Sequence, residues 1–200
     1  EKVKVTCTKS NEGFATAGGV QYVACAGNFK DAGLEYTGAL KVLQMIFSYE
    51  YLWIQIRVKG GAYGCMCSFS DQGDSMFVTY RDPNLSESYK VYDEAADYVA
   101  DFDADDRDMK KYIIGTISNI DRPMNPAAKG DRSMNLYMNH VSQEMIRTER
   151  SQILHAAQED IRALAAVVEA MLKAEQICVI GSEEKIEEEK EMFLEVKTLF

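Results

Sequence analysis

Apolar residues along this chain recur with two different periods, and the switches between them mark out its elements. VQYVACAGNF (20–29) is a β-branched, apolar run closed by Gly and Asn, and it predicts a strand. From about residue 34 to 57 the period lengthens: Leu40, Leu43, Phe47 and Tyr51 fall at helical spacing. Gly60 and Gly61 stop that helix, since glycine takes the left-handed conformation that helix ends often need. YGCMCSFS and SMFVTYR read as two antiparallel strands around a polar turn at 70–74. Asp82-Pro83-Asn84 announces the next helix. Proline suits a first turn, and Asn84 with Glu87 has capping-box spacing. Leu85, Tyr89, Tyr92, Ala96 and Val99 then form its apolar stripe. Met109, Tyr112, Ile113, Thr116, Ile117 and Ile120 stripe another helix, Asn125-Pro126 opens a further one, and Ser142 caps the next. Ile161, Leu164, Val168, Met171 and Leu172 predict one long helix. ICVIG is a short buried strand, and SEEKIEEEKEMF a terminal helix with its acids in the first turn, where the helix dipole favours them.

This order predicts an α+β, two-layer α/β fold. Strands at about 20–27, 63–70, 75–81 and 176–181 should share one largely antiparallel sheet, with the helices packed on one face. No linker, low-complexity tract or repeat interrupts the chain, so residues 1–200 read as a single domain. A composition of 46% hydrophobic and 27% charged residues is that of an ordinary globular protein. The formal net charge is -10 with no basic run, which argues against nucleic acid as a partner. The apolar runs fall short of a membrane span, and the N-terminus has no signal-like segment. The expected location is cytoplasmic, with an organelle matrix as the alternative. A start at Glu1 suggests a piece of something larger. Cys7, Cys25, Cys65, Cys67 and Cys178 are odd in number and mostly lie in strand-like runs, which predicts buried, reduced thiols rather than a disulfide frame.

Few residues carry obvious chemistry. His140 with Glu144, and His155 with Glu159, have the i, i+4 spacing that could set two zinc ligands on one helical face. Neither pair extends to H-E-x-x-H or H-x-x-E-H, and Ser142 places a helix start after His140, so capping or surface roles are expected. Cys65 and Cys67 point to the same side of a strand and read as small core residues. DFDADDRD (101–108) lacks a calcium-loop pattern and reads as a solvated helix start. There is no nucleophile elbow, P-loop or dinucleotide fingerprint. The remaining feature is RVKGGAYGCMCSF, in which Arg57 and Tyr63 flank a Gly60-Gly61 hinge. Two readings are open. In one, Arg57 caps a helix end while Tyr63 fills the core. Alternatively the hinge turns the strand back beside the helix end, so that a permanently charged guanidinium and a phenol point at one spot. Two convergent donors are what a peptide carbonyl, or the oxyanion it becomes, requires.

YEYLWIQIRVKGGAYGCMCSF, YRDPNL, VYDEAADYV, KYIIGTISNIDRPMNPAAKGDRS and the late EDIRALAAVVEAML and ICVIGSEEKI together resemble the presequence-protease branch of the pitrilysin/insulinase zinc metallopeptidases. The similarity runs in order along essentially the whole chain and matches the last of the four related α/β domains of those enzymes. The resemblance implies a clamshell enclosing a chamber, with the zinc ligands and general base in the first domain. In the last domain, the Arg and Tyr of R-x-x-G-G-A-Y reach across to the substrate. Arg57 and Tyr63 hold those positions and are implied as catalytic donors, with Gly60 and Gly61 beside them against substrate. This chain has no H-x-x-E-H, so the resemblance implies zinc bound elsewhere in the full-length enzyme, no cofactor here, and no activity for this chain alone. Its implied partners are the N-terminal half of the peptidase and unstructured peptides, with basic targeting peptides suited to an acidic wall. A non-catalytic structural or assembly subunit of the same fold is the alternative, and an intact Arg57/Tyr63 pair argues against it.

Overall fold

A computed structural model describes residues 9–199. The N-terminal strand β1 (Glu12–Thr16) leads to β2 (Tyr22–Asn28), a 3-10 turn, and then helix α1 (Ala39–Ile46). Helix α1 runs on through two π-helical stretches, Phe47–Tyr51 and Trp53–Lys59. The hairpin β3 (Gly64–Phe69) and β4 (Asp74–Tyr80) follows. Next come α2 (Ser86–Asp93), α3 (Ala95–Ala100), α4 (Asp106–Ile120), α5 (Pro126–Met138) and α6 (Gln143–Leu154). The chain closes with α7 (Gln158–Ala163), α8 (Ala165–Lys173), β5 (Gln176–Ser182), α9 (Glu183–Glu188) and β6 (Glu195–Thr198).

The strands form one six-stranded sheet in the order β3-β4-β2-β5-β1-β6. The four expected strands lie side by side and pair antiparallel. Two more, β1 and β6, extend the sheet through parallel pairs, so its antiparallel character ends at β5. Neither was read from sequence. EGFAT has a glycine where its buried face needs a large residue, because Phe193 and Ile186 already fill that space. The four residues of β6 are all exposed. The expected terminal helix therefore ends early, at Glu188, and gives way to this edge strand.

Helix α1 begins at Ala39 rather than near residue 34, and its stripe is buried as expected: Leu40, Leu43, Phe47 and Tyr51. Phe47 packs against Phe69 and Phe77 of the hairpin and against Tyr51 and Tyr98, which joins the first helix, the sheet and α3 into one core. The long helix expected around residues 161–172 is broken at Leu164 into α7 and α8, though its stripe stays buried. Caps at Asn125 and Ser142 stand where the sequence places them, each side chain accepting a backbone N–H. The Asn84–Glu87 capping box does not form. Leu85 occupies the cap position of α2, and the amide of Asn84 is turned towards Gly60 instead.

One face of the sheet is covered by helices and the other is bare. The hairpin strand β4 shows this with an inverted pattern. Its helix-side residues are Ser75, Phe77 and Thr79, all buried, while Met76 and Tyr80 look out from the uncovered side. The buried Thr79 hydroxyl is satisfied by accepting the Val23 N–H. Met66, Met76 and Ile180 stand exposed on the bare face, Met66 by 51% and Met76 by 44%.

The cysteines follow the same division. Cys25 and Cys67 are buried, Cys65 is half-buried, and Cys178 is exposed on the bare face; all four are free thiols. The expectation of buried thiols thus fails at Cys178, because that residue lies on the side of β5 that no helix covers, and Cys7 lies outside the described residues. Burial pushes the thiols of Cys25 and Cys67 up to about 12 and that of Cys65 up to about 11. Thiolate is the reactive form. Labelling near pH 8, read residue by residue by mass spectrometry, should therefore modify Cys178 first and leave Cys25 and Cys67 unmodified until denaturant is added. Equal labelling of all four under native conditions would contradict this packing.

Candidate active-site surface

The π-helical stretch sets up Arg57. Its turns close through bonds that span five residues rather than the four of an α-helix, as in Leu52 N–H to the Phe47 carbonyl and Gly60 N–H to the Gln55 carbonyl. Helices of this type are rare and are found frequently at functional sites. Here the Arg57 guanidinium carbon sits 4.1 Å from the centre of the Trp53 ring. This cation–π contact fixes the planar group without using its N–H donors. Among the described residues, Arg57 makes no hydrogen bond through its side chain and no ion pair.

The two glycines differ in role. Gly61 takes the left-handed conformation, φ +82, as expected. Gly60 does not, and remains helical at φ -78. Its lack of a side chain matters for another reason: a Cβ there would lie 2.6 Å from the Ile56 carbonyl oxygen, which accepts the Ala62 N–H at 3.1 Å. The hinge thus closes the helix and buries Ala62 while turning the chain into β3.

Beyond the hinge, Tyr63 is 67% exposed, not part of the core. Its ring meets the edge of Tyr80 at 5.8 Å, and Tyr80 meets Tyr22 at 5.4 Å, so Tyr63 ends a ladder of tyrosines reaching across the bare face. Tyr63 is therefore not part of the core, and its hydroxyl has no protein partner among the described residues; Arg57 does stand in the last turn of its helix, without a side-chain hydrogen bond to the helix end among the described residues. Trp53, Tyr80 and Tyr22 were not picked out from sequence. The usable signal was the W-x-x-x-R spacing and the apolar residues on both alternating faces of SMFVTYR.

The histidine pairs fall apart. His140 sits in the turn before α6 with φ 55, and Glu144 begins the next helix. His155 ends α6, its Nδ1 2.8 Å from the Ser151 carbonyl oxygen, while Glu159 starts α7. Neither pair shares a helical face. Among the described residues, no group of three His, Cys, Asp or Glu side chains is placed to hold a metal ion, so this surface does not fit a zinc site. Elemental analysis of the chelator-washed chain should find no stoichiometric zinc. One tightly held zinc per chain, lost on changing His140 or His155, would contradict this. No described helix is long and apolar enough to cross a membrane.

Residues 11–183 match the family described as the PreP C-terminal domain. Protein HypA of Clostridium perfringens is 44% identical over 191 residues, covering 96% of this chain and 20% of HypA. Presequence protease 1, chloroplastic/mitochondrial, of Arabidopsis thaliana is 34% identical over 191 residues, covering 94% of this chain and 18% of that protein. The chain thus spans about a fifth of the length of these relatives. In fold it is similar to the peptidase M16 inactive domain of Pseudomonas fluorescens, with a TM-score of 0.63 and 14% identity over 91% of this chain and 46% of that one. The chain belongs to the PreP C-terminal domain family.

Proposed function

We propose that this chain is the substrate-facing C-terminal domain of a zinc endopeptidase that degrades unstructured peptides in an enclosed chamber. In this reading Arg57 and Tyr63 donate hydrogen bonds to the substrate carbonyl as it becomes an oxyanion. The observation that carries it is the pair itself: two donors on either side of the hinge, each held by an aromatic contact, with their polar groups left without protein partners among the described residues. A ring stacked on a guanidinium, and an edge-on tyrosine, orient donors before substrate arrives. Preorganised donors cost no reorganisation during reaction, which is why such groups rank among the strongest contributors to acyl-transfer catalysis.

Zinc, held by another domain of the full-length enzyme, would supply an activated water and polarise the carbonyl. This domain supplies none of its ligands and by itself is inactive. The bare face beside Tyr63 gives an extended peptide somewhere to lie, with aromatic and methionine side chains that accept varied sequences. Its net charge of -10 favours basic peptides at long range, in keeping with the acidic-wall reading. The deciding experiment is turnover of an unstructured peptide by Arg57→Ala and Tyr63→Phe variants of the full-length peptidase, with wild-type kcat in both returning the pair to a structural role.

A further inference from the structure

A Gly-Gly hinge is a poor support for two catalytic donors, because glycine has more conformational freedom to lose than any other residue. Something must hold Gly60 and Gly61 in place. The loop at residues 81–84 touches the hinge three times. The Asn84 side-chain amide donates to the Gly60 carbonyl at 2.6 Å. The Pro83 ring lies 3.6 Å from where a Cβ on Gly61 would stand. The Tyr63 N–H donates to the Arg81 carbonyl at 3.3 Å.

That loop is itself anchored. Asp82 is fully buried and both its carboxylate oxygens are engaged: one accepts the Asn84 N–H at 2.9 Å, the other the Ser88 hydroxyl at 2.7 Å. The Asp82 backbone pairs in both directions with Gln21, at 2.7 and 2.8 Å. The buried Gln21 side chain in turn accepts the Ser182 N–H at the end of β5, at 2.7 Å. The chain of bonds therefore runs from the middle of the sheet, through Asp82, to the hinge carbonyl. Asn84 stands where a helix cap was expected, and its amide is used on the hinge instead.

We propose that Asn84, held by Asp82, is a positioning residue that fixes the Gly60-Gly61 hinge and so presents Arg57 and Tyr63 together. This rests on the reading of that pair as carbonyl donors. A hinge that drifts by an ångström would misplace both donors without removing either.

The test uses the full-length peptidase with an unstructured peptide substrate. Asn84→Ala deletes the clamp and should lower kcat by about ten- to a hundredfold, the scale of small misplacements remote from the chemistry, with KM little changed. Asn84→Asp keeps the shape but sets a carboxylate oxygen against the Gly60 carbonyl, and should lower kcat at least as much. Amide hydrogen exchange at residues 61–63 should quicken in both. Asn139→Ala is the control: its amide makes the same kind of bond, to the Asn135 carbonyl, on an exposed helix end far along the chain, and its loss should leave kcat unchanged. In an Arg57→Ala/Tyr63→Phe background, Asn84→Ala should lower kcat no further, because the donors it positions are gone. Wild-type kcat in Asn84→Ala, or an undiminished loss in that background, overturns the positioning role while leaving the donor reading intact. Wild-type kcat in the Arg57→Ala/Tyr63→Phe enzyme removes the donor reading, and the positioning role with it.

Discussion

Arg57→Ala in the full-length peptidase should lower kcat by about 10²–10³, or roughly 3–4 kcal/mol, the scale seen when one oxyanion donor is lost from other hydrolases. Tyr63→Phe should fall in the same range, and it is the sharper variant. It removes one oxygen and keeps the ring against Tyr80, so it separates donation from packing. Arg57→Lys keeps the charge but not the planar fork that stacks on Trp53, and should recover only part of the loss. Donors that act mainly on the transition state lower kcat more than they raise KM. Both side chains lie outside the fully buried core, so melting temperature should hardly move. A variant with normal kcat and a lowered melting temperature would show that the residue serves the fold alone.

Much of this architecture was legible because burial on one side forces a period onto the sequence. The stripes of α1, α4 and α8, and the caps at Asn125 and Ser142, depend on neighbours within a few residues, and such signals survive without knowledge of the fold. What was not legible depends on distant partners. Gly13 makes sense in β1 only because Phe193 and Ile186 occupy the space a side chain would take. Asn84 has the spacing of a helix cap, yet the Gly60 carbonyl, twenty-four positions earlier, captures its amide. The π-helical turns that carry Trp53 and Arg57 cannot be seen in an apolar periodicity.

The candidate site shows the same limit from the other side. Arg57 and Tyr63 stood out by residue type and by resemblance, but their exposure did not. In β4 the hydrophobic alternation points the wrong way, with Ser75 and Thr79 inside and Met76 and Tyr80 outside. A strand read by polarity alone would be turned over.

The core beneath that sheet should be most sensitive at Phe47, which has no exposed surface and joins rings from four other positions. Phe47→Ala should destabilise the protein by about 3–5 kcal/mol, the range for a large aromatic lost from a packed core. The cavity would lie between the first helix, the β3–β4 hairpin and α3, so no single element can move to fill it. Edge-on contacts such as that with Phe77, with ring centres 5.3 Å apart, add stabilisation beyond burial alone. Phe47→Leu retains much of the volume and loses mainly those ring contacts, so a smaller loss of about 1–2 kcal/mol is expected. Urea unfolding of the chain distinguishes the cases: the midpoint should fall in the order wild type, Leu, Ala, with the slope unchanged if only the folded packing is affected. Equal midpoints for the two variants would mean that buried volume at this position contributes little, and that the hairpin and first helix are held together elsewhere.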